Sequence, residues 1–308
     1  MNEFSVALSN VAVALLYLLP GFLVMKAGKM KEEHLKGMSS LLIYGCTPCM
    51  MADALMNLNG GKEDLLRILW FFIISFAAQG IFMFLVGSVF KKKTDMVRML
   101  QIDSVMGNVG FFGLPVVRAM FPDHPEAAAY SITFCVSMNI FAFTIGVFNL
   151  TGDKKYISLK EALINPSVIS FAAGLLLCLS KAQKWIPSAA QDGIALMGKM
   201  TTPLCMMILG ARLATMPVKE ILLKPAVYGI SLSKLVLFPL FSYLLVVFLP
   251  LDPVFKASVL VLSATPCASI VLNLAEIHSG GQKLAADCVL LSTLMCVFTL
   301  PLLTLIIS

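Results

Sequence analysis

Charge is scarce in this chain of 308 residues: Asp, Glu, Lys and Arg together make up 13% of it. Soluble domains carry roughly 25%. Histidine is scarcer, with 3 residues and none at a zinc-like spacing to a cysteine. Neither a metal nor another cofactor is expected. No GxxxxGK[ST] run is present to cradle nucleotide phosphates, so work driven directly by ATP would need a partner chain. No HExxH motif, carboxylate pair or Ser-His arrangement lies in the apolar runs, and an enzyme is not expected. The opening MNEFSVALSN has Glu3 and no basic cluster, so it is not expected to be a cleaved leader.

Apolar residues are abundant instead. They form 59% of the chain, and mean hydropathy is +0.90. A soluble fold of this size leaves much of its surface in water and could not hide so much apolar area. Lipid is the solvent that fits. Backbone groups in lipid must be satisfied internally, which leaves helices or a closed barrel. Barrel strands are about ten alternating residues, whereas runs such as Leu65 to Phe90 are continuous and suit helices of about twenty. The 8 cysteines include a CTPC spacing at Cys46 and Cys49. They lie in apolar runs and read as small buried residues. The 19 methionines read as packing.

The hydrophobic pattern predicts ten spans, at 4–25, 37–57, 65–90, 99–121, 126–150, 164–180, 190–215, 221–249, 254–277 and 282–307. The connections are short, so residues 1–308 are expected to form one transmembrane domain. Lys and Arg are unevenly shared among the connections. Fifteen fall in the odd-numbered ones, including Lys91, Lys92, Lys93, Lys154, Lys155 and Arg212, and five in the even-numbered ones. Basic residues accumulate on the cytoplasmic side, so both termini are expected outside a plasma membrane. The net charge of +6 needs no nucleic-acid partner.

Ten spans divide into two sets of five with opposite orientation, about 1–150 and 160–308. Thr47-Pro48 in span 2 then corresponds to Thr202-Pro203 in span 7. Gly107-Asn108 in span 4 corresponds to Thr265-Pro266 in span 9, at nearly the same separation in the chain. Span 4 packs three glycines, Asn108 and Pro115 into nine residues, and span 9 carries Pro266 near its centre. Gly costs a helix interior about 1 kcal/mol and Pro about 3. Both spans are expected to break at the same depth, and interrupted segments at corresponding places in two halves point to a transport site.

The runs GNVGFFGLP, TPCASIVLNLAE and LLSTLMCVFTLPLL resemble the auxin efflux carrier family, which includes plant PIN carriers and bacterial permeases for small carboxylates. The resemblance covers nearly the whole chain. It implies ten helices in two inverted repeats, with helices 4 and 9 unwound and crossing at the substrate. The plant crossover in helix 4 is Pro-Asn; here it is Gly107-Asn108, so only the asparagine carries over. The helix-9 crossover proline carries over as Pro266. Only TGDKKYISLKEAL stands where many plant carriers have a long loop, which implies a compact bacterial-type member.

The expected fold is thus an all-α integral membrane protein with broken, crossing helices 4 and 9. Half-helices starting near Val109 and Cys267 would aim free N–H groups at the midplane, and helix N-termini attract anions. The expected site comprises Gly107, Asn108, Val109, Thr265, Pro266 and Cys267. Ionisable groups at mid-depth are costly and functional. Lys199 and Lys234 are candidates to balance an acidic substrate, and Asp53 to carry a coupling ion. Asp103, Asp192, Glu276, His278 and Asp287 fall near the expected interfaces, and Arg118 near the outer headgroups. The expected function is secondary transport of a small organic anion by alternating access. A monovalent-cation or proton antiporter of the same fold is the alternative, and a non-transporting receptor is a third reading. Lipid surrounds the chain, and a homodimer is left open.

Overall fold

The computed structural model describes residues 3–90, 94–216, 218–278 and 281–307. The described residues are helical with short connections, and they contain no strand beyond one isolated bridge. Seven helices among them are long and apolar enough to cross a membrane: Glu3–Lys26, Lys62–Val89, Pro125–Thr151, Lys154–Leu179, Ser188–Thr215, Pro225–Val247 and Gln282–Thr304. Shorter helical pieces stand where spans 2, 4 and 9 were expected. Span 2 starts at Glu32, ahead of its apolar run. Its first turn carries Glu32 and Glu33, which the positive end of the helix dipole favours. Lys91, Lys92 and Lys93 lie outside the described residues.

Large apolar side chains cover the outside of the bundle, with Phe84, Phe248 and Phe298 each more than two-thirds exposed. This is the arrangement that lipid selects, because an apolar surface costs nothing in hydrocarbon. The most enclosed helix is Pro125–Phe141, nearly every residue of which is buried. Inside it, Tyr130 stacks on Phe71 at 4.4 Å between ring centroids, and Ser137 accepts a hydrogen bond from Gln79 at 2.7 Å. Polar side chains at such depth are tolerated when paired with one another.

Four helices contain a π turn, at Leu42–Cys46, Val109–Gly113, Ala142–Gly146 and Ser233–Leu237. Three of these immediately precede the second-position prolines Pro48, Pro115 and Pro239. Proline lacks an N–H and its ring clashes with the carbonyl four residues back. A widened turn relieves that clash. In the first of these turns the Leu42 carbonyl accepts from both the N–H and the hydroxyl of Thr47, the hydroxyl at 2.8 Å.

The helix Leu18–Lys26 packs against Thr201–Thr215 through facing glycines. A Cβ added at Gly21 would stand 1.9 Å from the Met207 carbonyl oxygen, and one at Gly210 would stand 2.0 Å from the Leu18 carbonyl oxygen. Small residues let membrane helices touch backbone to backbone, where dispersion supplies the attraction. Gly210→Leu is therefore expected to destabilise the bundle by about 2 kcal/mol or more, the scale of overpacking in a filled core. Thermal unfolding in detergent would show it, and an unchanged Tm would mean that the two helices are free to part.

Candidate functional site

The Asp95–Asp103 helix ends in a turn at Ser104 and Val105, and helical structure resumes at Val109. Likewise Pro253–Ser263 ends at Ala264, and Ser269–His278 begins after a matching gap. The two gaps lie against each other. Gly107 and Cys267 form the isolated antiparallel bridge. Beside it, the Asn108 N–H donates to the Pro266 carbonyl at 2.7 Å, and the Ala268 N–H donates to the Met106 carbonyl at 3.1 Å. Irregular backbone at membrane depth needs partners inside the protein, and each gap supplies them to the other.

The antiparallel bridge of Gly107 with Cys267 sets Asn108 opposite Pro266, the residue matched with it in the sequence, and Met106 opposite Ala268.

Gly107 is where the approach is tightest. A Cβ there would meet the Thr265 hydroxyl oxygen at 2.4 Å and the Lys234 Nζ at 3.0 Å. Asn108 is 5% exposed. Its carbonyl accepts from Phe112 and Gly113, while its side chain makes no capping bond to the half-helix that follows. That side chain instead reaches the Cys205 thiol. From the far side, Ser131 donates to the Val109 carbonyl at 3.0 Å and steadies the break. Ser292 accepts from the Cys267 N–H at 3.0 Å.

A cavity of about 340 Å³ lies against the paired gaps. Gly107, Asn108 and Val109 form part of its wall, as do Ala268 and Ser269 at the start of the second half-helix. Helix starts leave backbone N–H groups unpaired, so donors from both half-helices border one space. Asn139, Asn273 and Arg212 add polar groups to a lining that is otherwise mostly apolar. Arg212 also pairs with Glu276 at 2.6 Å. Among the described residues, Arg212 is the one charged side chain in that lining.

The remaining sequence candidates are scattered. Thr265, Pro266 and Cys267 are part of the pairing but do not line the cavity. Lys234 is fully buried behind Gly107; its ammonium donates to the Ser263 carbonyl. Lys199 is not brought to the breaks. It is exposed at the end of Ser188–Lys199, where helical spacing turns it outward beside Leu196 and Met200. Asp53 is ion-paired with Arg118 at 2.7 Å, so Arg118 is spent on a helix-to-helix contact and Asp53 is neutralised in this conformation.

Two acids expected near an interface are buried. Asp287 pairs with Lys224. Asp103 is wholly buried, and no N–H or O–H group donates to either carboxylate oxygen. The reason is where its helix starts: Thr94 caps it by accepting from the Val97 N–H, ahead of the expected span. Nine helical residues carry Asp103 about 13 Å beyond that cap. The Thr94-Asp95 start, a hydroxyl followed by an acid, was the signal that could have found it.

Seven full-length apolar helices and an internal cavity at paired helix breaks define a multi-pass membrane transport protein. A family model described as membrane transport protein matches residues 6–161 and 155–304, and the chain belongs to that family, the auxin efflux carrier-like transporters. It is also similar to an uncharacterized transporter of Methanocaldococcus jannaschii, at 26% identity over 294 residues, covering 92% of this chain and 93% of that protein.

Proposed function

We propose that the chain is a secondary carrier of a small organic anion, a carboxylate, and that it works by alternating access around the paired breaks. In this reading the architecture is ten helices in two inverted five-helix repeats, with helices 4 and 9 crossing at the breaks. The observation that carries the anion is the cavity wall. It offers helix-start N–H groups, the Asn108, Asn139 and Asn273 amides and the Arg212 guanidinium, with no carboxylate among the described lining residues. Helix N-termini and amides favour a negative ligand, and a cation would find no counter-charge there.

The cavity reaches exposed Tyr44 and Ile277 and includes Asn165 and Arg212. These residues lie at the ends that carry the Lys- and Arg-rich connections, so this is the cytoplasm-facing conformation of a plasma-membrane carrier with both termini outside. The Asp53–Arg118 pair then closes the opposite end. Single cysteines test the orientation. Seven of the native cysteines are buried and Cys49 is half-buried, so background labelling is low. Lys184→Cys is expected to react with an impermeant maleimide in intact cells, and Lys155→Cys only after the membrane is opened. The reverse pattern would invert the topology.

The function is tested with the full chain in proteoliposomes offered labelled lactate, succinate, malate and benzoate. Saturable accumulation of at least one is the expected result. Binding without accumulation would make the protein a receptor, and movement of Na⁺ or K⁺ with none of the acids would make it a cation carrier.

A further inference from the structure

The cavity and the ion pairs leave one group of charges unexplained. Asp103 and Lys234 are both 0% exposed, and neither lines the cavity. They flank the first break from behind. The Cys267 thiol lies 3.9 Å from the Asp103 carbonyl, and Ser104 and Ser233, the neighbours of the two residues, are hydrogen bonded at 2.8 Å. Lys234 sits on the π turn Ser233–Leu237, and such turns recur at functional sites. Its ammonium is held by the Ser263 carbonyl at the C-terminal end of Pro253–Ser263 and lies 5.1 Å from the centre of the Phe238 ring. A helix C-terminus and a ring face both stabilise a cation. The Asp103 carboxylate has far less provision: both oxygens are buried with no N–H or O–H donor, and only the weakly donating Cys288 thiol lies beside them. An isolated buried carboxylate in its ionised form costs many kcal/mol, so the group is built to hold a proton in this conformation.

Other titratable groups around Asp103 do not replace that proton. On Gln282–Thr304, Cys288 is adjacent, whereas Asp287 is engaged by Lys224. From the second break comes Cys267, and from the π turn Lys234, whose charge acts on Asp103 without ion-pair contact. Pro225–Leu232 contributes Tyr228, whose hydroxyl is turned to the Leu222 carbonyl. Val147–Thr151 and Ala142–Gly146 carry no titratable residue. The charged residues of Lys62–Val89 all lie in its first two turns. On its own helix, Asp95 and Arg98 stand toward the start.

We propose that Asp103 is a proton-carrying site and that Lys234 is its alternate counter-charge, so that the anion moves together with a proton. The direction of coupling rests on the anion reading above. An anion at Asn108 and an ionised Asp103, five residues apart in the chain, repel across the break, so anion binding favours proton uptake by Asp103. The linkage is reciprocal. The carboxylate takes its proton from water on one side and returns it to water on the other. When Asp103 is ionised, the Lys234 ammonium leaves the Ser263 carbonyl for the carboxylate. That exchange alters the second break, because Ser263 ends the helix before it.

The test uses the full chain reconstituted in lipid as wild type, Asp103→Asn and Lys234→Met. Infrared spectra are recorded while the pH is stepped, with no carboxylate added. The expected result is a carboxyl stretching band that titrates in wild type, vanishes in Asp103→Asn and titrates at higher pH in Lys234→Met. Absence of any titrating band assigned to Asp103 would overturn the proposal. For a labelled acid that is carried, an imposed pH gradient is expected to raise accumulation about tenfold per pH unit, one decade being one proton's worth of driving force. Asp103→Asn, which is uncharged like the protonated carboxyl and cannot release a proton, is expected to keep anion exchange and lose gradient-driven accumulation. Equal response to the gradient in wild type and Asp103→Asn would also overturn it. If the band titrates and no acid in the panel moves, the proton site stands and the anion reading falls.

Discussion

Asn108→Asp is expected to fold and insert as the wild type does, yet to bind its anion at least about tenfold more weakly. Asn108 follows the bridge residue Gly107 and forms part of the cavity wall. Its backbone is fully used: the N–H donates to Pro266 and the carbonyl accepts from Phe112 and Gly113. Its side chain makes no capping bond, so the amide is not what holds the half-helix in place. Hydrogen bonds to charged groups contribute roughly 1.5–3 kcal/mol, and each 1.4 kcal/mol is about one decade of affinity. Asn108→Ala should therefore weaken binding by about one to two decades with little change in Tm. Asn108→Asp should weaken it further, because a carboxylate there repels the ligand. Titration of the purified variants with the transported acid decides between the readings. Full affinity in Asn108→Asp together with a large loss of Tm in Asn108→Ala would make Asn108 a structural residue and remove it from the site.

Gly107→Leu is expected to abolish transport outright. A branched side chain has no room, since even a Cβ would come within 2.4 Å of the Thr265 hydroxyl and 3.0 Å of the Lys234 ammonium. A leucine pressing on Thr265 and Lys234 beside the bridge is expected to part the two gaps and leave the Asn108 N–H and the Met106 carbonyl without their partners. A buried backbone group left unpaired costs about 1–3 kcal/mol, and two are lost together. The variant should show a lowered Tm and no uptake at matched protein in the membrane. Gly107→Ala is the graded control: it should retain measurable folding, because Lys234 and Thr265 are side chains that can give way. Wild-type uptake by Gly107→Leu would mean that the breaks need not touch for the carrier to work.

The two breaks were legible because Gly107, Pro115 and Pro266 cannot be concealed in an apolar helix; their backbone effects do not depend on the neighbours. The π turns were not foreseen from the sequence, although three of them sit directly before a proline. Buried charge was not legible to the same degree. Lys234 was found by its depth within a long apolar run, but the same rule selected Lys199, which the fold turns outward. Depth along a helix can be read from spacing, whereas the direction a side chain faces is set by what the helix packs against. Asp103 was misplaced because depth was counted from the first apolar residue, and the helix begins earlier at a polar cap.

What the sequence determined by itself is therefore the solvent, the helical class and the points where helices must fail. Each follows from local chemistry: apolar composition demands lipid, lipid demands satisfied backbone, and Gly and Pro withhold that satisfaction. The tertiary structure decided the rest. It set the bridge at Gly107 and Cys267, gave Arg118 to Asp53 and Arg212 to Glu276, and placed Asp103 and Lys234 together behind the break. These are choices among residues far apart in the chain. They depend on which faces meet once the helices are packed, and local chemistry carries no record of that.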